Sequence, residues 1–134
     1  MIRLANIEYV NKLLDIDSHI GPKELYHKIN QSQIFVYEKD LEVIGLLRYS
    51  LFWDQVPFIN LIIFKEKFRG KGFGKELMFH FEDEIIKQNK TWVMTSTLAC
   101  ETAQHFYRIL GYVDSGSLLV EKEGLEIIFK KDLA

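Results

Sequence analysis

The chain opens on a short apolar stretch, Ile2-Arg3-Leu4, that suits a first strand. The spacing then lengthens: Ile7, Val10, Leu13 and Leu14 recur at helical intervals behind Asn6, a residue type that caps helix starts. GPKELYHKIN predicts a second helix, with Pro22 in its first turn. The period then drops to two. QIFVYEK predicts a strand over about 33–39, KDLE a turn, and VIGLLRYSLFW the second arm of a hairpin. DQVP breaks the pattern, and FINLIIF is almost wholly apolar, as a central strand buried on both faces would be. A helical stripe returns with Phe73, Leu77, Met78, Phe81, Ile85 and Ile86, starting near Lys71 and lasting to about Asn89. TWVMTST predicts a strand. CETAQHFYRILG predicts a helix with Ala103, Phe106, Tyr107 and Leu110 on one side and Gly111 placed to end it. Two strands around a turn at KEG close the chain.

Strands and helices mix here without strict alternation. That predicts an α/β (α+β) domain: a mixed sheet flanked by helices on both faces, with one domain spanning 1–134. No repeat, linker or low-complexity segment interrupts it.

Composition narrows the function classes. At 48% hydrophobic residues and a formal net charge of -2, the chain can build a core and lacks the basic face of a general nucleic-acid binder. The single cysteine, Cys100, cannot form an internal disulfide, which points to a reducing compartment. His19, His27, His80 and His105 are scattered, and no cysteine–histidine spacing reads as a metal site. The first residues carry acid and lack the apolar core of a signal peptide, and no stretch is apolar enough to span a membrane. These features predict a cytoplasmic protein without membrane or nucleic-acid partners.

The local exception is RGKGFG, Arg69 to Gly74, between the apolar run and the helical stripe. A helix start presents unpaired N–H groups and a partial positive charge. Glycines let an anion approach the backbone, and Arg69, Lys71 and Lys75 add charge. A pyrophosphate is the natural ligand for such a turn; a plain strand–helix turn that binds nothing is the other reading. Two familiar phosphate loops do not fit. Gly74-Lys75 is followed by Glu76 where the P-loop needs Ser or Thr, and the glycine spacing from Gly70 through Gly72 to Gly74 is not that of the dinucleotide fingerprint.

About 30 residues later comes an Ala–x–x–Phe–Tyr–x–x–x–Gly–Tyr segment, Ala103 to Tyr112. Together with R-x-x-G-x-G at the earlier strand–helix junction, and with the order of elements, it resembles the GNAT family of N-acetyltransferases over essentially the whole chain. The resemblance implies a mostly antiparallel central sheet of about six or seven strands, with central strands that splay to receive acetyl-coenzyme A. It implies a pyrophosphate on the backbone of Arg69, Gly70, Lys71, Gly72, Phe73 and Gly74. The pantetheine arm would run along Ile62, Ile63 and Phe64, with Ala103 and Phe106 beside it. Tyr107 falls where a phenol commonly protonates the departing thiolate; from the residues alone it reads as a core tyrosine with its hydroxyl at an edge. The activity implied is acetyl transfer from acetyl-CoA to a primary amine by direct attack in a ternary complex, with no metal.

Two positions depart from the family. Cys100 stands where an asparagine is common, and a thiol cannot replace an amide's paired donor and acceptor; from the residues alone it reads as a small packing residue rather than a nucleophile. Asn60 stands where a strand glutamate often helps to remove the amine proton, and an amide cannot act as a base. A non-catalytic acyl-CoA-binding regulatory or interaction module is therefore the alternative. Phe52, Trp53, Asp54 and Phe58 would suit a small cationic acceptor through aromatic faces and one carboxylate, or would pack the sheet or a dimer contact. The resemblance is also compatible with a homodimer.

Overall fold

The computed structural model describes residues 1–133. Seven strands, β1 (Ile2–Leu4), β2 (Ile34–Lys39), β3 (Glu42–Phe52), β4 (Val56–Phe64), β5 (Trp92–Leu98), β6 (Val113–Val120) and β7 (Gly124–Asp132), form one sheet in the order β1-β2-β3-β4-β5-β7-β6. The sheet is mixed and mostly antiparallel, and β4 and β5 run parallel. Four helices accompany it: α1 (Val10–Ile16), α2 (Pro22–Asn30), α3 (Phe73–Lys87) and α4 (Ala103–Ile109). The chain divides into two compact units, Met1–Ser50 with Leu61–Phe81, and Leu51–Asn60 with Glu82 onward.

In the first unit the strand alternation decides which helix each residue meets. Ile34 and Val36 of β2 join Val43, Leu46, Leu61 and Ile63 in a cluster with Val10, Leu13, Leu25 and Ile29 of α1 and α2. The intervening Phe35 and Tyr37 turn to α3, where Phe35 meets Phe81 edge-on at 6.1 Å and Tyr37 meets Phe73 at 5.2 Å. Gly45 leaves room for a ring: a Cβ there would lie 2.4 Å from Phe64. A buried ion pair, Arg48 Nε to Asp17 Oδ2 at 2.7 Å, ties the C-terminal end of α1 to β3.

In the second unit β7 pairs with β5 on one side, from Trp92↔Asp132 to Leu98↔Glu126, and with β6 on the other. The ladder of β5 with β4 covers two residue pairs, Phe58↔Met94 and Ile59↔Thr95. Glu82, at the start of this unit's share of α3, is buried and accepts from Tyr112 Oη (2.8 Å) and Lys131 Nζ (2.9 Å).

Three expectations shift. FINLIIF is not buried on both faces: Asn60 is exposed and Leu61, Ile62 and Ile63 are half-buried. The ladder with β5 ends at Ile59, and the residues beyond it are the ones left open. The long helix begins at Phe73 rather than Lys71, because Gly72 takes a left-handed φ of 89° and only its carbonyl joins the helix, accepting from Glu76 N. It ends at Lys87, and Asn89 follows with φ 63°. Finally, β3 stops at Phe52, because Trp53 and Asp54 both adopt left-handed φ, 57° and 60°, in a tight turn.

Candidate active site

The glycine turn lies in the first unit. β4 ends at Phe64, whose ring sits on Gly45, and a single 3-10 turn, Glu66–Phe68, follows. Arg69 then folds back: its Nε donates to the carbonyl of Phe64 at 2.8 Å, and its amide donates to the carbonyl of Glu66 at 3.2 Å. At the far side Phe73 packs against Phe64, Phe68 and Tyr37, at 6.3, 6.3 and 5.2 Å between ring centroids. The turn is thus pinned at both ends, and the backbone between is exposed.

Gly70 and Gly72 both take left-handed φ, 72° and 89°, and a Cβ on either would meet nothing within 4 Å. Backbone conformation, not crowding by the protein, demands glycine at these two positions. The amides at the start of α3 have no carbonyl four residues back within the helix. Among the surrounding cations, Lys65 and Lys67 face Glu42, Lys75 lies over Phe79, and Lys71 is exposed with no ion pair among the described residues. Glu76, a carboxylate in the first helical turn, accepts from Tyr37 Oη. Burial, then that bond, push the Tyr37 phenol up to about 12. Exposed amides at a helix start beside an unpaired lysine are an arrangement that suits an anion.

The second unit carries Tyr107. It is 5% exposed on α4, with its ring against Phe106, Tyr112 and Phe129. Gly111, at φ 96°, closes the helix: its amide donates to Arg108 O and that of Tyr112 to Tyr107 O, both at 3.0 Å. This αL termination turns the chain so that Tyr112 is buried in the next step, which is why glycine and tyrosine follow one another. Burial raises the Tyr107 phenol above its ordinary value, and a hydrogen bond with Thr95 works against that rise. Thr95 in turn donates to Ile59 O at 3.1 Å. A tyrosine so placed stays protonated at neutral pH and can give a proton to a stronger base.

The other predicted residues are dispersed. Ala103 and Phe106 are half-buried on α4, and Cys100 is exposed in the turn before it. There Gln104 Nε2 donates to the carbonyls of Ala99 and Glu101, so the turn has an amide even without an asparagine at position 100. Trp53 is 72% exposed and tilted against Phe52 at 4.7 Å; Asp54 and Asn60 are exposed. Sequence reasoning missed Thr95, Gly45 and Tyr37. A glycine isolated inside a strand pattern was the available signal for Gly45; the other two are ordinary strand residues until their partners are known.

Among the described residues no group of three or more His, Cys, Asp or Glu could hold a metal ion, and no helix is long and apolar enough to cross a membrane. A search of curated proteins finds no significant sequence match. Solved structures match across the whole chain at low identity. A GNAT-family acetyltransferase from Bacillus cereus superposes with TM-score 0.82 at 21% identity, covering 100% of this chain and 97% of that one. The ribosomal-protein-alanine N-acetyltransferase of Brucella melitensis gives 0.85 at 17%, covering 99% of each. The PaiA N-acetyltransferase of Thermoplasma acidophilum, solved in complex with coenzyme A, gives 0.83 at 15%, covering 98% of each. At these identities the likeness shows the fold. The family model described as Acetyltransferase (GNAT) family matches residues 3–112, which includes both the glycine turn and the Tyr107 helix, and on that match the chain belongs to the GNAT acetyltransferase family.

Proposed function

We propose that this chain is a single-domain N-acetyltransferase that moves the acetyl group of acetyl-CoA to a primary amine of a small-molecule acceptor, by direct attack in a ternary complex. The observation that carries the reading is the pair of left-handed glycines, Gly70 and Gly72, open to solvent at the start of α3. They form a backbone cradle that suits the coenzyme's pyrophosphate, with the amides up to Gly74 and the free charge of Lys71 facing it. In this proposal Ile62, Ile63 and Phe64 offer strand backbone to the pantetheine arm. Ala103 and Phe106 flank the arm.

The reaction forms a C–N bond and breaks the C–S bond. The amine nitrogen attacks the thioester carbon, the tetrahedral adduct expels the coenzyme thiolate, and Tyr107 supplies the proton that thiolate takes. Its raised pKa keeps the proton available for the step. Asn60 cannot take the proton that the nitrogen sheds as the amide forms, so that proton leaves through water or Asp54, and Tyr107 regains its own from solvent. Trp53 and Asp54 lie on a turn suited to a cationic acceptor. The reading includes a cytoplasmic setting and admits a homodimer.

The test is release of free thiol from acetyl-CoA in the presence of a panel of polyamines, aminoglycosides, amino acids and peptide N-termini. Turnover with an amine, and acetylated product by mass spectrometry, is expected. Tight coenzyme binding with no turnover on the whole panel would leave only a binding module.

A further inference from the structure

Strand alternation in the second unit separates two faces of β5 and β7. Thr95 is in register with Phe129, and Thr97 with Ile127. Tyr107 packs on Phe129, so α4 covers this face; Glu82 of α3 bonds Lys131, on the same face. Both helical segments of the unit are accounted for there. Ser96, Leu98, Glu126 and Ile128 point the other way, and Leu118 of β6, in register with Glu126, joins them. The first four are half-buried and Leu118 is 58% exposed.

Glu126 is the odd member of this face. Its Oε2 accepts from Ser96 Oγ at 2.8 Å, and it makes no ion pair among the described residues. Among the described residues no buried side-chain polar atom lacks a partner, so the other oxygen, Oε1, reaches solvent. Glu82, on the opposite face, has a lysine and a tyrosine. A half-buried carboxylate among aliphatic side chains, aligned by one hydroxyl and lacking a cation, is a charge left unneutralised. A ligand with a positive end and an alkyl body would complete it.

We infer that Glu126, aligned by Ser96 and walled by Leu98, Leu118 and Ile128, anchors a positively charged group of the acceptor, so that aliphatic diamines and polyamines are preferred over neutral or anionic amines. The inference rests on the acetyl-transfer reading above. It fits direct attack: Tyr107 reaches β5 at Thr95 from one face, and Glu126 meets it at Ser96 on the other. The acid for the leaving thiolate and the anchor for the arriving amine thus flank one strand on opposite sides.

The experiment compares cadaverine with pentylamine, which has the same carbon chain and lacks the second amine. The wild type is expected to favour cadaverine in kcat/KM by about tenfold or more. Glu126→Gln keeps size and an acceptor for Ser96; it should erase that preference through KM while pentylamine turnover stays within about threefold. Glu126→Lys should shift preference toward aminovalerate, whose distal group is a carboxylate. Equal losses on all three amines would mean a structural role and overturn the anchor, as would an unchanged preference. Calorimetry with cadaverine and no acetyl donor separates this inference from the transfer reading. Binding that Glu126→Gln removes supports the anchor even if no acetyl moves; equal binding to both proteins, or none to the wild type, sinks it.

Discussion

The glycine turn before α3 and the Tyr107 end of α4 solve opposite problems. At the turn the protein withdraws its side chains: Gly70 and Gly72 face open space, Arg69 is folded back onto Phe64, and Glu76 is held by Tyr37. What remains is backbone N–H and the charge of Lys71. Around Tyr107 the backbone is committed to ending a helix, and what the side chain offers there is one buried hydroxyl. Its neighbour Tyr112 sharpens the point. Both tyrosines are buried and both phenols are raised, but Tyr112 is bound to the Glu82 carboxylate while Tyr107 has only Thr95. Burial does not distinguish the two; their partners do.

The largest effect expected from breaking this contrast is in turnover. Tyr107→Phe removes the hydroxyl and keeps the ring on Phe106, Tyr112 and Phe129. Turnover should fall by about 10² or more, with coenzyme A affinity within a few-fold and near-normal melting. The high-pH fall in rate should also weaken. Wild-type turnover on a verified amine would return Tyr107 to the core.

The mirror substitution, Tyr112→Phe, should do the reverse. It leaves the buried Glu82 with Lys131 alone, and losing a donor to a buried charge costs roughly 1–3 kcal/mol. Denaturant unfolding should show that loss, with kcat per folded molecule unchanged. If Tyr112→Phe slows turnover as much as Tyr107→Phe, the division of labour between the two tyrosines is wrong.

At the turn, Gly72→Val puts a branched side chain into the open space and forces it into a left-handed backbone. That strain is of order 1–2 kcal/mol, which a fold of ordinary stability survives. Coenzyme A affinity should drop at least tenfold, about 1.4 kcal/mol, while kcat at saturation holds. Unchanged affinity by calorimetry in a folded variant would remove the phosphate cradle.

The mildest signature is in alkaline stability. Tyr37 is pushed from 10.0 up to about 12, and Tyr107 and Tyr112 are raised as well. The folded state therefore holds phenol protons that the unfolded chain releases near its ordinary value. Stability should be level below about pH 10 and fall from there toward 12, because the unfolded state ionises first. Tyr37→Phe should flatten that fall in a pH series of melts; an identical slope would show that Tyr37 does not contribute to it.

Much of this was legible in the chain. The period changes marked the elements, and the two motifs, R-x-x-G-x-G and A-x-x-F-Y-x-x-x-G-Y, pointed to the family. Local physics explains why: Gly70, Gly72 and Gly111 each need a left-handed φ that leaves a trace as glycine at a fixed offset from a helix end. The misses have the opposite character. FINLIIF carries no mark of where its ladder with β5 stops, since hydrogen-bond register is a property of two strands. Trp53 and Asp54 bear a tight turn that asparagine and glycine usually announce.

The residues by themselves thus determined the elements, their order, the glycine turn before α3 and the glycine that ends α4, because each depends on side-chain period or on backbone freedom within a few positions. Only the tertiary structure decided which carboxylates are spent and which are free. Glu82 and Glu126 are alike as letters. One is paired with Lys131, 49 positions away, and the other bonds Ser96, 30 positions away, with no cation beside it among the described residues. Pairing across such distances is set by which strand lies next to which and by the face each residue occupies, and no local pattern encodes it.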